Sequence, residues 1–176
     1  FDATLVDIDN QVINVISTEG IGDLGGEDFD DVLYELVRDK IDEEGGLDPE
    51  EADDQTRENL RRDLKELKHN LSDINEDFIV YQGGGEGVEI TITSEEFEDA
   101  IKDDVERTFD KVDALFEKDA VTSEGISKED VDSVLLVGGS TRIPLVADKV
   151  EEYFGEEPKR NVNPDTVVAQ GGAIQA

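Results

Sequence analysis

The chain has 176 residues, 48 Asp and Glu against 16 Lys and Arg, and a formal net charge of −32. Such a charge repels phosphate backbones and anionic lipid, so nucleic acid and membrane surfaces are excluded as unaided partners. The absence of cysteine and the single histidine, His69, exclude disulfide scaffolds, Cys-ligated zinc, iron–sulfur clusters and a His-rich metal cage.

Phe1, Thr4 to Val6 and Ile8 predict a short strand, Asp9-Asn10 a turn, and Val12, Ile13, Val15 and Ile16 a second strand, together a hairpin. The glycine-rich stretch Gly20 to Gly26 leads into a helix from Glu27 or Asp28, with Phe29, Val32, Leu33, Leu36, Val37 and Ile41 at helical spacing and Gly45-Gly46 as its stop. Asp48-Pro49-Glu50-Glu51 opens a further helical segment with the stripe Leu60, Leu64, Leu67 and Leu71. Lys68 and Ser72 lie one turn apart on it and, by residue type, read as a solvated face. Phe78 and Val80, then Val88, Ile90 and Ile92, alternate in period two around Gly83-Gly84-Gly85, a second hairpin. Thr93-Ser94-Glu95-Glu96 caps a long helix carrying Phe97, Ile101, Val105, Phe109, Val112 and Phe116.

The continuous apolar run Val134 to Val137 has the pattern of a strand buried on both faces, ending at Gly138-Gly139-Ser140-Thr141-Arg142. Pro144 then suits a first helical turn, followed by the stripe Val146, Val150, Tyr153 and Phe154. Asn163-Pro164-Asp165 reads as the start of a last helix with Val167, Val168 and Ile174. This order predicts a mixed α/β domain in which residues 1–17 share one sheet with the chain from Val134, and the middle is an α+β insert. No apolar run approaches the roughly 18 residues of a membrane span. Because the charges alternate with core positions, the acidity belongs to a folded surface and not to a disordered tail. Self-repulsion this strong is tolerable where salt screens it, the Debye length falling to about 3 Å at 1 M, so a halophile's cytoplasm is the expected setting. A nucleic-acid mimic or acidic chaperone tail is the rival account.

The most informative segment is Val134-Leu-Leu-Val-Gly-Gly-Ser-Thr-Arg-Ile-Pro144. Two glycines after a strand let a flat ligand lie on bare backbone, the helix start that follows offers N–H groups, and Arg142 offers a planar guanidinium on which an adenine ring can stack. Taken by its parts the segment is also an ordinary tight turn, and Gly25-Gly26-Glu27-Asp28 is also a plain start to a helix.

The complete string resembles the adenosine-binding loop of the heat-shock-protein-seventy (DnaK) chaperones, members of the actin-like ATPase superfamily. Leu24-Gly-Gly-Glu-Asp-Phe-Asp30 resembles a loop of that family's second lobe, Asn163-Pro-Asp165 with Val168-Ala169 resembles its closing segment, and Phe1-Asp2 is similar to the end of its second phosphate loop. The resemblance implies a ribonuclease H-like α/β lobe, with residues 1–26 and 118–176 as the sheet-bearing base and 27–117 as the inserted smaller subdomain. It implies binding of ATP or ADP, with Mg and K ions in a longer parent. Gly138, Gly139, Ser140 and Arg142 match the adenosine loop, Asp165 an acid beside the adenosine, and Lys68 and Ser72 two helix positions that contact ribose and base. Asp2 matches an aspartate near the cation sites. His69 stands where the family has a stacking arginine, and Lys65 where it has a glutamate, departures that weaken adenosine affinity or loosen specificity. A lone histidine on a helix is otherwise a bystander.

The same resemblance implies that the chain is a piece of a longer protein, starting as it does at Phe1 without a methionine. The first lobe, with its phosphate loop and catalytic lysine, lies outside it, so hydrolysis by this piece alone is expected to be negligible. Implied partners are that first lobe, a peptide-binding domain, a nucleotide-exchange factor, a J-domain co-chaperone and unfolded client proteins. The alternative function is an interaction module with no useful nucleotide affinity.

Overall fold

The computed structural model describes residues 1–9, 12–85 and 87–159. The chain divides into two compact units, one made of Phe1–Gly25 with the chain from Asp103 on, the other of Gly26–Lys102. Helices and strands are mixed in both.

In the second unit, helix α1 (Gly26–Glu43) buries Phe29, Leu33, Tyr34, Val37 and Ile41, the centre of the face that the three- and four-residue spacing predicts, with Tyr34 added and Val32 and Leu36 half-buried at its edge. It ends at the glycine pair: Gly45 takes φ +74°, its N–H bonds the Asp42 carbonyl at 3.0 Å, and the Gly46 N–H bonds the Ile41 carbonyl at 2.8 Å. This is the double-bonded stop that glycine makes cheap, since a side chain at that φ is strained. Asp48 to Glu51 forms a separate 3₁₀ turn (Pro49–Glu51) ahead of the next helix. Two side chains of α1 hold that turn, Arg38 gripping Asp48 through both carboxylate oxygens at 3.0 and 2.8 Å and Tyr34 donating to Glu50 at 2.8 Å. The Arg38 bond keeps the Asp48 carboxyl below its ordinary range, and burial pushes the Tyr34 hydroxyl up to about 12.

Helix α2 (Asp54–Leu71) is capped by Asp53, which accepts from the Thr56 N–H at 2.9 Å. Its leucine stripe, Leu60, Leu64, Leu67 and Leu71, is buried throughout, each side chain contributing about 1.5–3 kcal/mol of apolar burial. Strands β3 (Glu76–Tyr81) and β4 (Val88–Thr93) form an antiparallel hairpin in the register Ile79↔Ile90 and Tyr81↔Val88. Helix α2 packs on β3 and α1 on both α2 and β4. The buried residues of the hairpin are Ile79, Tyr81, Ile90 and Ile92. The phase expected for β4 is therefore observed, while that for β3 is reversed: Phe78 is 55% exposed and Val80 is also exposed. The run Phe78-Ile79-Val80-Tyr81 is apolar at every position, so alternation alone cannot choose its inner face, and pairing with Ile90 and Ile92 chooses it.

Helix α3 (Ser94–Phe116) starts with the predicted box, Thr93 Oγ1 accepting from the Glu96 N–H at 3.1 Å and Glu96 accepting from the Thr93 N–H at 2.9 Å. Phe97, Ile101 and Val105 of its stripe are buried.

In the first unit, β1 (Asp2–Asp9) and β2 (Val12–Gly20) pair antiparallel, with an irregularity between Leu5 and Val6 that leaves Ile16 out of the pairing. The short helix α4 (Asp119–Thr122) packs on β2. Helix α5 (Pro144–Phe154) has its proline in the first turn as expected and buries Ala147 and Val150. Its end joins the later part of α3 through aromatic contacts, Phe109 to Tyr153 at 5.3 Å and Phe116 to Phe154 at 6.5 Å between ring centres, and Tyr153 donates to Asp113.

Two expectations for this unit are corrected. Among the described residues Val134 to Val137 is not a strand buried on both faces: it makes one parallel bridge, Leu135↔Lys159, with the Lys159 N–H bonding the Val134 carbonyl at 2.8 Å, and Leu135 is 51% exposed. Nor, among the described residues, do residues 1–17 share a sheet with it, the described strands forming two separate pairs, β1–β2 and β3–β4. An apolar run specifies burial only where other strands extend a ladder beside it, and β1 and β2 bond each other. The predicted helix after Asn163 lies outside the described residues.

Candidate functional site

One group of the predicted residues lies in each unit. In the first, Gly138 leaves the extended segment at φ +96° and ψ 157°, a conformation open in practice only to glycine. Gly139–Arg142 then forms one 3₁₀ turn, closed by the Thr141 hydroxyl donating to the Gly138 carbonyl at 2.6 Å and by the Ile143 N–H on the Ser140 carbonyl at 3.3 Å. Ile143 is buried and anchors the turn to the start of α5. A Cβ built on Gly138 or Gly139 would meet nothing within 4 Å, so the backbone here is bare and open on the side where a side chain would stand. Arg142 is exposed at the end of the turn. The arrangement can receive a flat ligand on Gly138-Gly139 with a guanidinium nearby in sequence, the chemistry that an adenosine moiety fits.

In the second unit, Lys68, His69 and Ser72 occupy the last turn and cap of α2. His69 is exposed, as is Lys65 one turn before. The Ser72 hydroxyl reaches the Lys68 carbonyl at 3.4 Å. Lys68 itself is not part of a solvated face. It is 7% exposed, and its Nζ lies 2.5 Å from the Gly26 carbonyl and 2.5 Å from Asp30 Oδ1, both on the first turn of α1. The physical reason is a charge partner 38 positions away, which spacing along α2 cannot show. Asp30 had been legible only as the last letter of the string Leu24 to Asp30, with no role attached.

Asp2 sits at the start of β1 opposite Gly20 and is exposed. Among the described residues no group of three or more His, Cys, Asp or Glu side chains could hold a metal ion. Asp165 lies outside the described residues. Among the described residues no helix is long and apolar enough to cross a membrane.

The family model for "Hsp70 protein" matches residues 1–176. Curated relatives named "Chaperone protein DnaK", from Thermotoga neapolitana and Thermotoga petrophila, are 37% identical over 183 aligned positions that cover 100% of this chain and 30% of each relative. The chain thus spans about three tenths of the length of the curated relatives it matches. A match over every residue, with the glycine loop at Gly138 folded as an open turn, leads to one conclusion: the chain belongs to the Hsp70 family.

Proposed function

We propose that this chain is the second lobe of the ATP-binding domain of a DnaK-type chaperone, contributing adenosine-binding residues and, in residues 27–117, the subdomain gripped by a nucleotide-exchange factor. The observation that carries the reading is the bare Gly138-Gly139 backbone running into Arg142. Gly138, Gly139, Ser140, Arg142 and Asp165 are assigned to adenosine, and Lys68, His69 and Ser72 to ribose and base. Asp2 is assigned to the cation region that Mg and K ions occupy in the longer protein. There, nucleotide binding and hydrolysis switch a peptide-binding domain, with a J-domain co-chaperone and unfolded clients as partners, in the cytoplasm. The actin-like fold of the lobe, with residues 27–117 as its insert, belongs to the same proposal.

Calorimetry with ADP in molar KCl tests it. Saturable binding is expected, weakened roughly 3- to 10-fold by Arg142→Ala, the loss of a stacked guanidinium, and weakened also by Ser72→Ala. Binding that neither substitution touches overturns the site assignment. No saturable binding, with a retained complex with the exchange factor, supports the interaction module instead.

The acidic surface is proposed to be an adaptation to high salt. The melting temperature then rises between dilute buffer and molar KCl as repulsion among the 48 carboxylates is screened. A flat or falling melting temperature removes that reading.

A further inference from the structure

Lys68 is the only charged side chain that is buried among the described residues. An ammonium has three N–H donors, and two acceptors on α1 stand at 2.5 Å from this one, the Gly26 carbonyl and Asp30 Oδ1. Asp30 Oδ1 has no access to solvent and no hydrogen-bond partner in aligned geometry, so the Lys68 charge is what compensates it. Drawing Lys68 away would leave a sealed carboxylate oxygen uncompensated, which costs more than one hydrogen bond to a neutral hydroxyl returns. Lys68 therefore stays on α1 whatever else it touches.

We propose that Asp30 is a positioning residue for the nucleotide: its charge holds the Lys68 ammonium beside α1, with one donor on the Gly26 carbonyl, so that a remaining donor is left for a ribose hydroxyl. The assignment rests on the nucleotide-binding reading above and adds to it a residue that touches no ligand. It also ties the first turn of α1, where Gly26 and Asp30 lie, to the last turn of α2, where Lys68, His69 and Ser72 lie. Lys68 contributes direction more than charge, since its charge is already neutralised by Asp30.

The test compares ADP with 2′,3′-dideoxy-ADP, which lacks the hydroxyls, by calorimetry on the full chain in molar KCl. Wild type is expected to prefer ADP about tenfold, a single good hydrogen bond. Lys68→Met brings that ratio near one. Asp30→Asn lowers it at least threefold while the dissociation constant for the dideoxy nucleotide stays within twofold, and Asp30→Glu restores part of it. An unchanged ratio in Asp30→Asn, beside a lost ratio in Lys68→Met, overturns the role of Asp30 and leaves the nucleotide reading standing. No ADP binding by the wild type overturns both. A second measurement needs no variant: the Lys68 ammonium gives a slowly exchanging ¹H–¹⁵N signal that persists when ADP saturates the protein. Disappearance of that signal on ADP addition means that the ligand takes Lys68 from Asp30, and overturns the proposal.

Discussion

In the hairpin β3–β4 the residues Ile79, Tyr81, Ile90 and Ile92 are buried, Ile92 completely, whereas in β1–β2 the comparable residues Val6, Ile8, Val12, Ile13 and Val15 are exposed, Ile13 at 60%. Both hairpins are antiparallel, and β-branched residues dominate the apolar positions of both. What differs is the company each keeps within its own unit. Helices α1 and α2 cover the face of β3–β4 that carries Ile90 and Ile92, while α4 packs on β2 and five apolar side chains of β1–β2 stay open, Leu5 and Ile16 being half-buried. Strand formation is thus a local matter of branched residues and turn chemistry, and burial depends on elements far away in sequence.

The largest expected effect tests that difference directly. Ile92→Ala removes a fully buried side chain and costs about 2–5 kcal/mol, whereas Ile13→Ala, at an exposed position, costs less than about 0.5 kcal/mol. Native-state hydrogen exchange of the β4 and β2 amides is the suitable measurement, because two compact units need not open together. Equal losses at the two positions would show that Ile13 is covered in solution, and the contrast between the hairpins would fall.

The same contrast explains what could be read from the sequence. The stripe Phe29, Leu33, Val37 and Ile41 and the stripe Leu60, Leu64, Leu67 and Leu71 were legible because a period of 3.6 is a local property. So was the Thr93–Glu96 cap, whose partners are three residues apart. The inner face of β3 was not, since four apolar residues in a row leave the phase to the register with β4. Val134 to Val137 failed for a related reason: its apolar character says nothing about whether a ladder forms beside it, and among the described residues one bridge to Lys159 is what it has. Within the candidate site, the Gly138 turn was legible from its glycines, and its φ of +96° gives the reason for the first of them. The burial of Lys68 was hidden, because its carbonyl partner Gly26 lies 42 positions earlier and Asp30 offered no pattern connecting the two.

A smaller effect sharpens the comparison, because in each hairpin the second strand is also held by a lysine from a helix or its cap. Lys40 donates to the Thr91 carbonyl at 3.0 Å and to Glu96 at 2.6 Å, and Lys118 donates to the Thr18 carbonyl at 2.6 Å and pairs with Glu19 at 2.7 Å. The two clamps differ in what their carboxylates do besides. Glu96 also accepts from Thr93 as half of the α3 cap, while Glu19 faces charges only, Lys118 first and Lys111 more weakly, besides a backbone bond from Gly20. Glu96→Ala should therefore destabilise the second unit by about 1 kcal/mol, as the loss of a capping partner does, and Glu19→Gln should weaken β2 protection less, because it removes a half-exposed ion pair and no cap. The pH dependence has the same sign in both. The Lys40 bond holds the Glu96 carboxyl below its ordinary value of 4.5, and the Lys118 bond does so for Glu19. A carboxyl lowered by folding adds stability that is present above that ordinary value and is lost as pH falls through the lower, folded one. Protection of β4 amides should then weaken below about pH 4.5 in the wild type and do so less in Glu96→Gln. An acid response identical in wild type and variant would show that the Lys40–Glu96 clamp adds nothing to the acid stability of its hairpin, and the difference between the clamps would fall.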